Sequence, residues 1–223
     1  MKMTKMKKVF VTCLAGIMVM ATVAGCGKFD AAGYVTACLD LLTKGETEQY
    51  MKLTDRTKEQ AEQDYEDNID SMMEGMGEVG LSDELTENYR TLYKDIYKKA
   101  KYTVTGAEKM KDKDGYTVTV EVEQMTGLFD GLEDEVTNRV MEEMANLTPD
   151  TTEDEINELV FQTMYDVLQE RVDAISYNDP QTVTVEVLGE DGVYSITDDG
   201  YTDLDDALID TCLLYTSPSP RDA

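Results

Sequence analysis

The spacing of apolar residues predicts three helices in the first half of the chain. One begins near Asp30 and ends at Gly45, a residue type that favours the end of a helix. Thr57 and Gln60 have the spacing of a capping box in front of a second helix, and Ser82 is a typical cap for a third. The third helix has the clearest amphipathic pattern, with apolar residues at Leu85, Tyr89, Leu92, Tyr93, Ile96 and Tyr97.

An alternation of apolar and polar residues predicts two hairpins farther along, over residues 102–122 and 183–197. The phrase Thr-Val-Thr-Val-Glu-Val occurs twice, at 117–122 and at 182–187. Its valines alternate with threonine and glutamate, which is typical of an antiparallel strand with one buried and one solvated face. The two phrases therefore predict two strands of one antiparallel sheet.

Two further helices are predicted between the hairpins, the second of them behind a capping box formed by Thr152 and Glu155. A short helix over Leu204–Ile209 closes the pattern. The order of helices, hairpin, helices and hairpin predicts an α+β fold. We expect a curved antiparallel sheet of about four strands, wrapped by helices in a cone-like arrangement, in a single domain over residues 30–211.

Residues 1–25 have the layout of a secretory signal peptide. Four lysines lie in the first eight residues, and an apolar run follows over residues 9–24. This run is shorter than the roughly 20 apolar residues that a membrane-spanning helix needs. It ends in Val-Ala-Gly-Cys, which resembles the lipobox of bacterial lipoproteins. The resemblance implies cleavage before Cys26, attachment of lipid to its thiol, and a lipidated tether over residues 26–29.

The last residues have a different character from the acidic sequence that precedes them. Residues 212–222 resemble one translated reading frame of a sequencing adapter. We therefore expect residues 212–223 to be a non-native, adapter-derived tail, with the natural chain continuing past Thr211.

The chain is strongly acidic, with 47 Asp and Glu, 20 Lys and Arg, and a formal net charge of −27. Nucleic-acid binding needs clusters of Lys and Arg that neutralise phosphates, so the composition argues against nucleic acid as a partner. The same charge repels the domain from an anionic membrane surface. So many carboxylates in one domain also predict raised carboxylate pKa values in the folded chain.

Residues for several kinds of chemistry are missing from the sequence. The chain contains no histidine, which excludes Ser-His and Cys-His triads and imidazole metal sites. With Cys26 lipidated and the leader and tail discounted, Cys38 is the remaining cysteine, so we expect no disulfide. We assign no catalytic residue and no cofactor.

Two clusters raise the question of a metal. An acidic cluster near the C-terminal end could hold a cation at a loop, and its members are Asp198, Asp199, Asp203, Asp205 and Asp206. No defined loop spacing supports that site, so no metal is assigned. Met72, Met73 and Met76 could suggest thioether copper ligands, but a flexible apolar helix end is the preferred interpretation.

Three sequence blocks carry a resemblance that covers nearly the whole mature chain. They are the start Asp30–Val35, the pair Leu81–Leu85 and Tyr93–Tyr102, and the stretch Glu155–Phe161. In these blocks the chain resembles an acidic lipoprotein family of uncharacterised function in Gram-positive gut bacteria. The resemblance implies a fold like nuclear transport factor two, which is cystatin-like, and it brings no catalytic motif.

These observations predict an extracytoplasmic envelope protein, anchored to the outer face of the cell membrane by lipid on Cys26. We expect a non-catalytic module that binds an envelope protein, a peptide or a small ligand. Its binding surface would be the concave sheet face or the methionine-rich helix end. The alternative is a histidine-free cavity enzyme that uses Asp and Tyr as acid and base, as ketosteroid isomerase does.

Overall fold

The computed structural model describes residues 21–22, 29–77, 79–145 and 150–210. Within these ranges the helices are α1 (Ala31–Lys44), α2 (Glu48–Thr54), α3 (Lys58–Gly77), α4 (Asp83–Tyr97), α5 (Leu132–Met144), α6 (Glu153–Val172) and α7 (Asp198–Leu208). The strands are β1 (Ala21–Thr22), β2 (Lys101–Lys109), β3 (Gly115–Glu123), β4 (Met125–Thr126), β5 (Ser176–Tyr177), β6 (Gln181–Glu190) and β7 (Val193–Ile196). The predicted α+β class is confirmed.

Helix ends lie where the capping residues predict them. The Asp30 carboxylate accepts the backbone N–H of Gly33 at 2.9 Å, and Gly45 ends α1 in the left-handed conformation at φ 70°. Thr57 and Gln60 exchange hydrogen bonds between side chain and backbone at the start of α3. Similar caps begin α4 and α6, so local side-chain chemistry fixes these boundaries.

The main sheet is antiparallel, with strand order β1-β7-β6-β3-β2. The two Thr-Val-Thr-Val-Glu-Val phrases lie on the neighbouring strands β3 and β6, where Val118 pairs with Val185 and Thr119 pairs with Thr184. Because β1 lies inside the predicted signal peptide, cleavage would leave the four strands that the pattern predicts. The sheet is open, with β2 at one edge.

One face of the sheet is buried and the other is open to solvent. The valines of β3 and β6 point inward and pack beneath α1 and α7, together with Tyr194 and Ile196 of β7. The opposite face is rich in threonine and glutamate, as the alternation predicts. A second core region joins α4, α5 and α6, and it is continuous with the first.

Several elements differ from the sequence-based prediction. Helix α2 was not predicted, because its 7 residues are too few to show a period. Strands β4 and β5 have 2 residues each and leave no pattern at all. Helix α7 begins at Asp198, not at Leu204, because Thr197 caps it and accepts the N–H of Gly200 at 3.1 Å. Acidic residues suit a first helical turn, so the polar stretch is helical.

None of the described helices is long and apolar enough to cross a membrane.

Candidate functional site

A groove of about 240 Å³ lies at the end of the sheet where β2 begins and β3 ends. Helix α1 ends against it, and Pro180 precedes β6 on its far side. The lining residues are Lys44, Ala100, Lys101, Tyr102, Thr103, Glu121, Glu123 and Pro180. Most of them are polar or charged, so the groove suits a polar ligand.

Tyr102 ties the end of α1 to the edge of the sheet. Its hydroxyl donates to Asp40 at 2.6 Å and lies 3.0 Å from the hydroxyl of Thr43. Thr43 in turn donates to the carbonyl of Leu39 at 2.6 Å, within α1. The position of α1 at the groove is therefore set by a chain of hydrogen bonds from β2.

Two lysines of the groove are held by fixed contacts. The ammonium of Lys44 lies 2.8 Å from the Asp40 carboxylate and 4.5 Å from the centre of the Tyr102 ring. The ammonium of Lys101 lies 3.5 Å from the centre of the Tyr177 ring and 3.6 Å from the Glu123 carboxylate. Such cation–π contacts restrict the lysines without removing their charge.

Two carboxylates complete the charged lining. Glu123 stands opposite Lys101 in the register of β2 and β3, and Glu121 stands opposite Thr103. Glu121 is exposed and has no ion-pair partner in the ranges that the structure describes. The groove therefore offers cations, carboxylates and a hydroxyl within one short stretch of sheet.

The protonation of the groove follows from burial and pairing. Burial, and then the hydrogen bond to Asp40, raises the pKa of Tyr102 to about 12. Burial acts to lower the pKa of Lys44, but its contacts with Asp40 and Tyr102 outweigh this and raise it. At neutral pH Tyr102 is therefore a neutral hydroxyl and Lys44 a cation.

A second polar cluster lies inside the protein, between α2 and α3. The Tyr50 hydroxyl donates to Asp64 at 2.6 Å, and the Arg56 guanidinium lies 3.2 Å from the same carboxylate. Asn68, one helical turn after Asp64, is fully buried, and its amide has no hydrogen-bond partner among the described residues. A cavity enzyme needs a buried carboxylate as its acid or base, and Asp64 is buried. However, Asp64 already forms an ion pair with Arg56.

The predicted acidic cluster lies on α7 and not in a loop. Asp198 and Asp199 form the first turn, and Asp205 accepts the hydroxyl of Tyr97 at 3.0 Å from farther along the helix. Asp203 and Asp206 lie on the same helix. Over the described ranges, no group of three or more His, Cys, Asp or Glu is placed to hold a metal ion.

The other predicted functional residues have separate locations. Met72, Met73 and Met76 are buried on α3, so the methionine-rich helix end is part of the core and not a binding surface. Cys38 is a buried free cysteine of α1. Cys26 lies outside the described residues. The groove residues were missed, because their lysine, glutamate and tyrosine positions have no motif spacing and meet only through the sheet.

Comparison with known proteins gives one structural match. No protein-family model matches the chain, and no curated protein matches it. A Bacillus subtilis protein, YcdA, described as a "putative lipoprotein", has a similar structure with a TM-score of 0.54 and 20% sequence identity. The match covers 81% of this chain and 56% of that one, so this chain spans little more than half of YcdA. At this identity the similarity concerns the fold alone.

Proposed function

We propose that the chain is a lipid-anchored protein of the cell envelope, held on the outer face of the membrane through Cys26. The support is the leader that ends in Val-Ala-Gly-Cys and the description of the structural neighbour YcdA as a "putative lipoprotein". Removal of the leader would also take away β1 and leave β7 as the sheet edge. The likeness of the fold to nuclear transport factor two remains a prediction from sequence.

The module carried by this anchor binds a small polar ligand or a peptide without catalysis. The observation that carries this proposal is the groove, where two cations and two carboxylates line about 240 Å³ of space. Preformed contacts hold Lys44 and Lys101, so little side-chain entropy is lost when a ligand binds. Because both signs of charge are present, the best complement is a zwitterionic ligand, such as a peptide terminus or an amino sugar.

The anchor can be tested by comparing two serine variants in a bacterium that processes lipoproteins. Cys26→Ser should abolish incorporation of labelled palmitate and leave the precursor uncleaved. Cys13→Ser, within the apolar run of the leader, is the matched control and should remain labelled. Labelling that persists in Cys26→Ser would show that the anchor assignment is wrong.

The groove can be tested with zwitterionic dipeptides and amino sugars as probes in a thermal-shift assay. Glu121→Gln and Lys101→Gln should each reduce the stabilisation by the best probe. Glu190→Gln makes the same chemical change as Glu121→Gln at an exposed position, the last residue of β6 beside the turn to β7, and should leave binding unchanged. Equal loss in all three variants, or no stabilisation by any probe, would refute the groove as the binding site.

The alternative function is a histidine-free enzyme in which Asp40 and Tyr102 act as the acid–base pair. The observation that favours it is their 2.6 Å hydrogen bond beside the groove. Against it, the pKa of Tyr102 is raised to about 12 and its hydroxyl also contacts Thr43, so the pair is built to hold α1 in place. Chemical conversion of a bound probe that disappears in Asp40→Asn would establish the enzyme.

A further inference from the structure

Phe29 is packed into an aromatic cluster only three residues after the proposed lipid attachment site. Its ring stacks on Tyr194, with centroids 4.1 Å apart and an interplanar angle of 9°. The centroids of the Tyr34 and Tyr116 rings lie 5.5 Å and 5.6 Å from the centroid of the Phe29 ring. The cluster joins the start of the mature chain to strands β3 and β7.

The sheet is built to accept this cluster. Tyr194 lies across from Gly189 in the register of β6 and β7. A Cβ atom at Gly189 would lie 2.6 Å from the Tyr194 ring, so the glycine leaves the space that the ring occupies. The Tyr194 hydroxyl donates to Asp114 at 3.2 Å, which holds the ring against the turn between β2 and β3.

The length of the tether limits where the lipid can enter the membrane. Phe29 is three residue steps after Cys26, and an extended chain spans at most about 3.6 Å per step, or about 11 Å in total. The Cα atom of Cys26, which would carry the lipid on its side chain, must therefore lie within about 11 Å of the Cα atom of Phe29. That distance is shorter than the sheet is long.

The groove lies at the other end of the same strands. Tyr116 is the second residue of β3 and Glu123 is the last. Seven residue steps of about 3.3 Å place the groove roughly 23 Å along the strand from the aromatic cluster. The turns of both hairpins lie at the aromatic end, and the groove lies at the opposite end.

We propose that the aromatic end of the sheet, defined by Phe29, Tyr116 and Tyr194, rests on the lipid surface and that the groove faces away from it. This inference depends on the lipid anchor proposed above. Phe29 and Tyr116 are partly exposed, which suits the headgroup region of a membrane, whereas Tyr194 is buried and supports the Phe29 ring from within. The net charge of −27 opposes lying flat on an anionic leaflet, so the domain stands on its anchored end.

The turns at this end carry charges of both signs. Lys109, Lys111 and Lys113 lie beside Asp112 and Asp114, and the neighbouring turn adds Glu190 and Asp191. Lys109 and Asp114 approach to 3.8 Å, and Lys113 and Glu186 to 3.3 Å. The orientation therefore depends on the short tether and the aromatic stack, and not on a basic patch.

Fluorescence quenching from the lipid headgroups tests the orientation. The lipidated full chain, in a Cys212→Ser background, would be reconstituted into phosphatidylcholine–phosphatidylglycerol vesicles that carry a headgroup-attached quencher. One label would be placed at Lys111→Cys, in the β2–β3 turn, and another at Asp179→Cys, beside the groove; both positions are exposed, whereas native Cys38 is buried. We expect several-fold stronger quenching at position 111 than at position 179.

Variants of Phe29 supply the controls. Phe29→Tyr preserves the stacked ring and should keep the difference between the two labels, whereas Phe29→Ala should reduce it. Equal quenching of both labels in the membrane-bound wild type would overturn the proposed orientation while leaving the anchor intact. An undiminished difference in Phe29→Ala would overturn the contribution of the aromatic stack and leave the short tether as the cause of the orientation. If the wild type fails to bind the vesicles and behaves like Cys26→Ser, the anchor and the orientation are both overturned.

Discussion

The two ends of the sheet are held by different kinds of interaction. At the aromatic end, Phe29 stacks on Tyr194 at 4.1 Å and the contacts are mainly apolar. At the groove end, Tyr102, Asp40 and Lys44 are joined by hydrogen bonds of 2.6 Å and 2.8 Å. Stacking depends on shape and burial, whereas the second network depends on protonation and charge.

This difference matters for what each end can do. A mainly apolar stacking contact is less sensitive to salt than a network of charges, which suits an attachment point. A network of charged and hydroxyl groups suits recognition, because its donors and acceptors discriminate between ligands. In the proposals made above, attachment and binding would therefore lie at opposite ends of the same pair of strands.

The largest effect is expected at the aromatic end, for Phe29→Ala. The variant loses a half-buried ring and its stacking contact with Tyr194, which should lower the free energy of unfolding by about 2–3 kcal/mol. Chemical denaturation of the two proteins would measure it. Met141→Ala removes an apolar side chain that is 65% exposed and should change stability little. A similar cost for both variants would show that the stack contributes nothing particular.

Gly189→Ala should have a somewhat smaller effect. The new methyl group would meet the Tyr194 ring at 2.6 Å, and displacing the ring should cost about 2 kcal/mol of stability. Gly106→Ala is the matched control on β2, since a Cβ there meets nothing within 4 Å. That control should be neutral or slightly stabilising, because alanine restricts the unfolded chain.

At the groove end, Tyr102→Phe should cost about 1 kcal/mol, because Asp40 loses a donor at a partly buried site. It should also weaken probe binding if α1 shifts. Tyr165→Phe serves as the comparison, because no hydrogen bond of its hydroxyl is found within the described part of the chain. Urea denaturation of both variants measures the difference. Equal stability of the two would show that the hydrogen bonds of the Tyr102 hydroxyl do not stabilise the fold.

Much of the fold could be predicted, because the signals were local. The cap residues Asp30, Ser82 and Thr152 fixed helix ends, since each side chain bonds its own first turn. The repeated valine phrase identified the two central strands, since burial on one face imposes a period of two. Helix α2 and strands β4 and β5 could not be predicted, because these short elements are stabilised by contacts with neighbouring elements and not by a local sequence pattern.

The candidate site could not be predicted, because its residues meet only after folding. Lys44 ends a helix, Lys101 begins a strand and Glu121 lies on another strand, and no spacing connects them. The prediction of raised carboxylate pKa values was wrong for five glutamates whose pKa values are lowered, Glu59, Glu66, Glu135, Glu155 and Glu170. Hydrogen bonds to Arg171 lower the pKa of Glu135, and contacts with Lys94 and Arg90 outweigh burial and lower that of Glu66. These two carboxylates lie beside arginine or lysine side chains in the folded chain. The composition alone does not show which acidic residues are close to a basic one.

The smallest effect concerns alkaline pH and again separates the two ends. An unfolded tyrosine ionises near pH 10, whereas burial and the bond to Asp40 raise the pKa of Tyr102 in the folded chain to about 12. A raised folded pKa gives stability that is present below pH 10 and is lost as the pH rises toward 12. Buried tyrosines elsewhere, such as Tyr50 and Tyr89, also have raised pKa values, so every variant loses stability in the same pH window.

The informative quantity is therefore the difference in stability between wild type and Tyr102→Phe, measured by thermal unfolding from pH 9 to pH 11. That difference should shrink as the pH rises. The cost of Phe29→Ala should change less over this range, because Phe29 itself does not titrate, although burial and the bond to Asp114 raise the pKa of its stacking partner Tyr194. A Phe29→Ala cost that falls in parallel would show that the aromatic end also depends on protonation, and the contrast between the two ends would be lost.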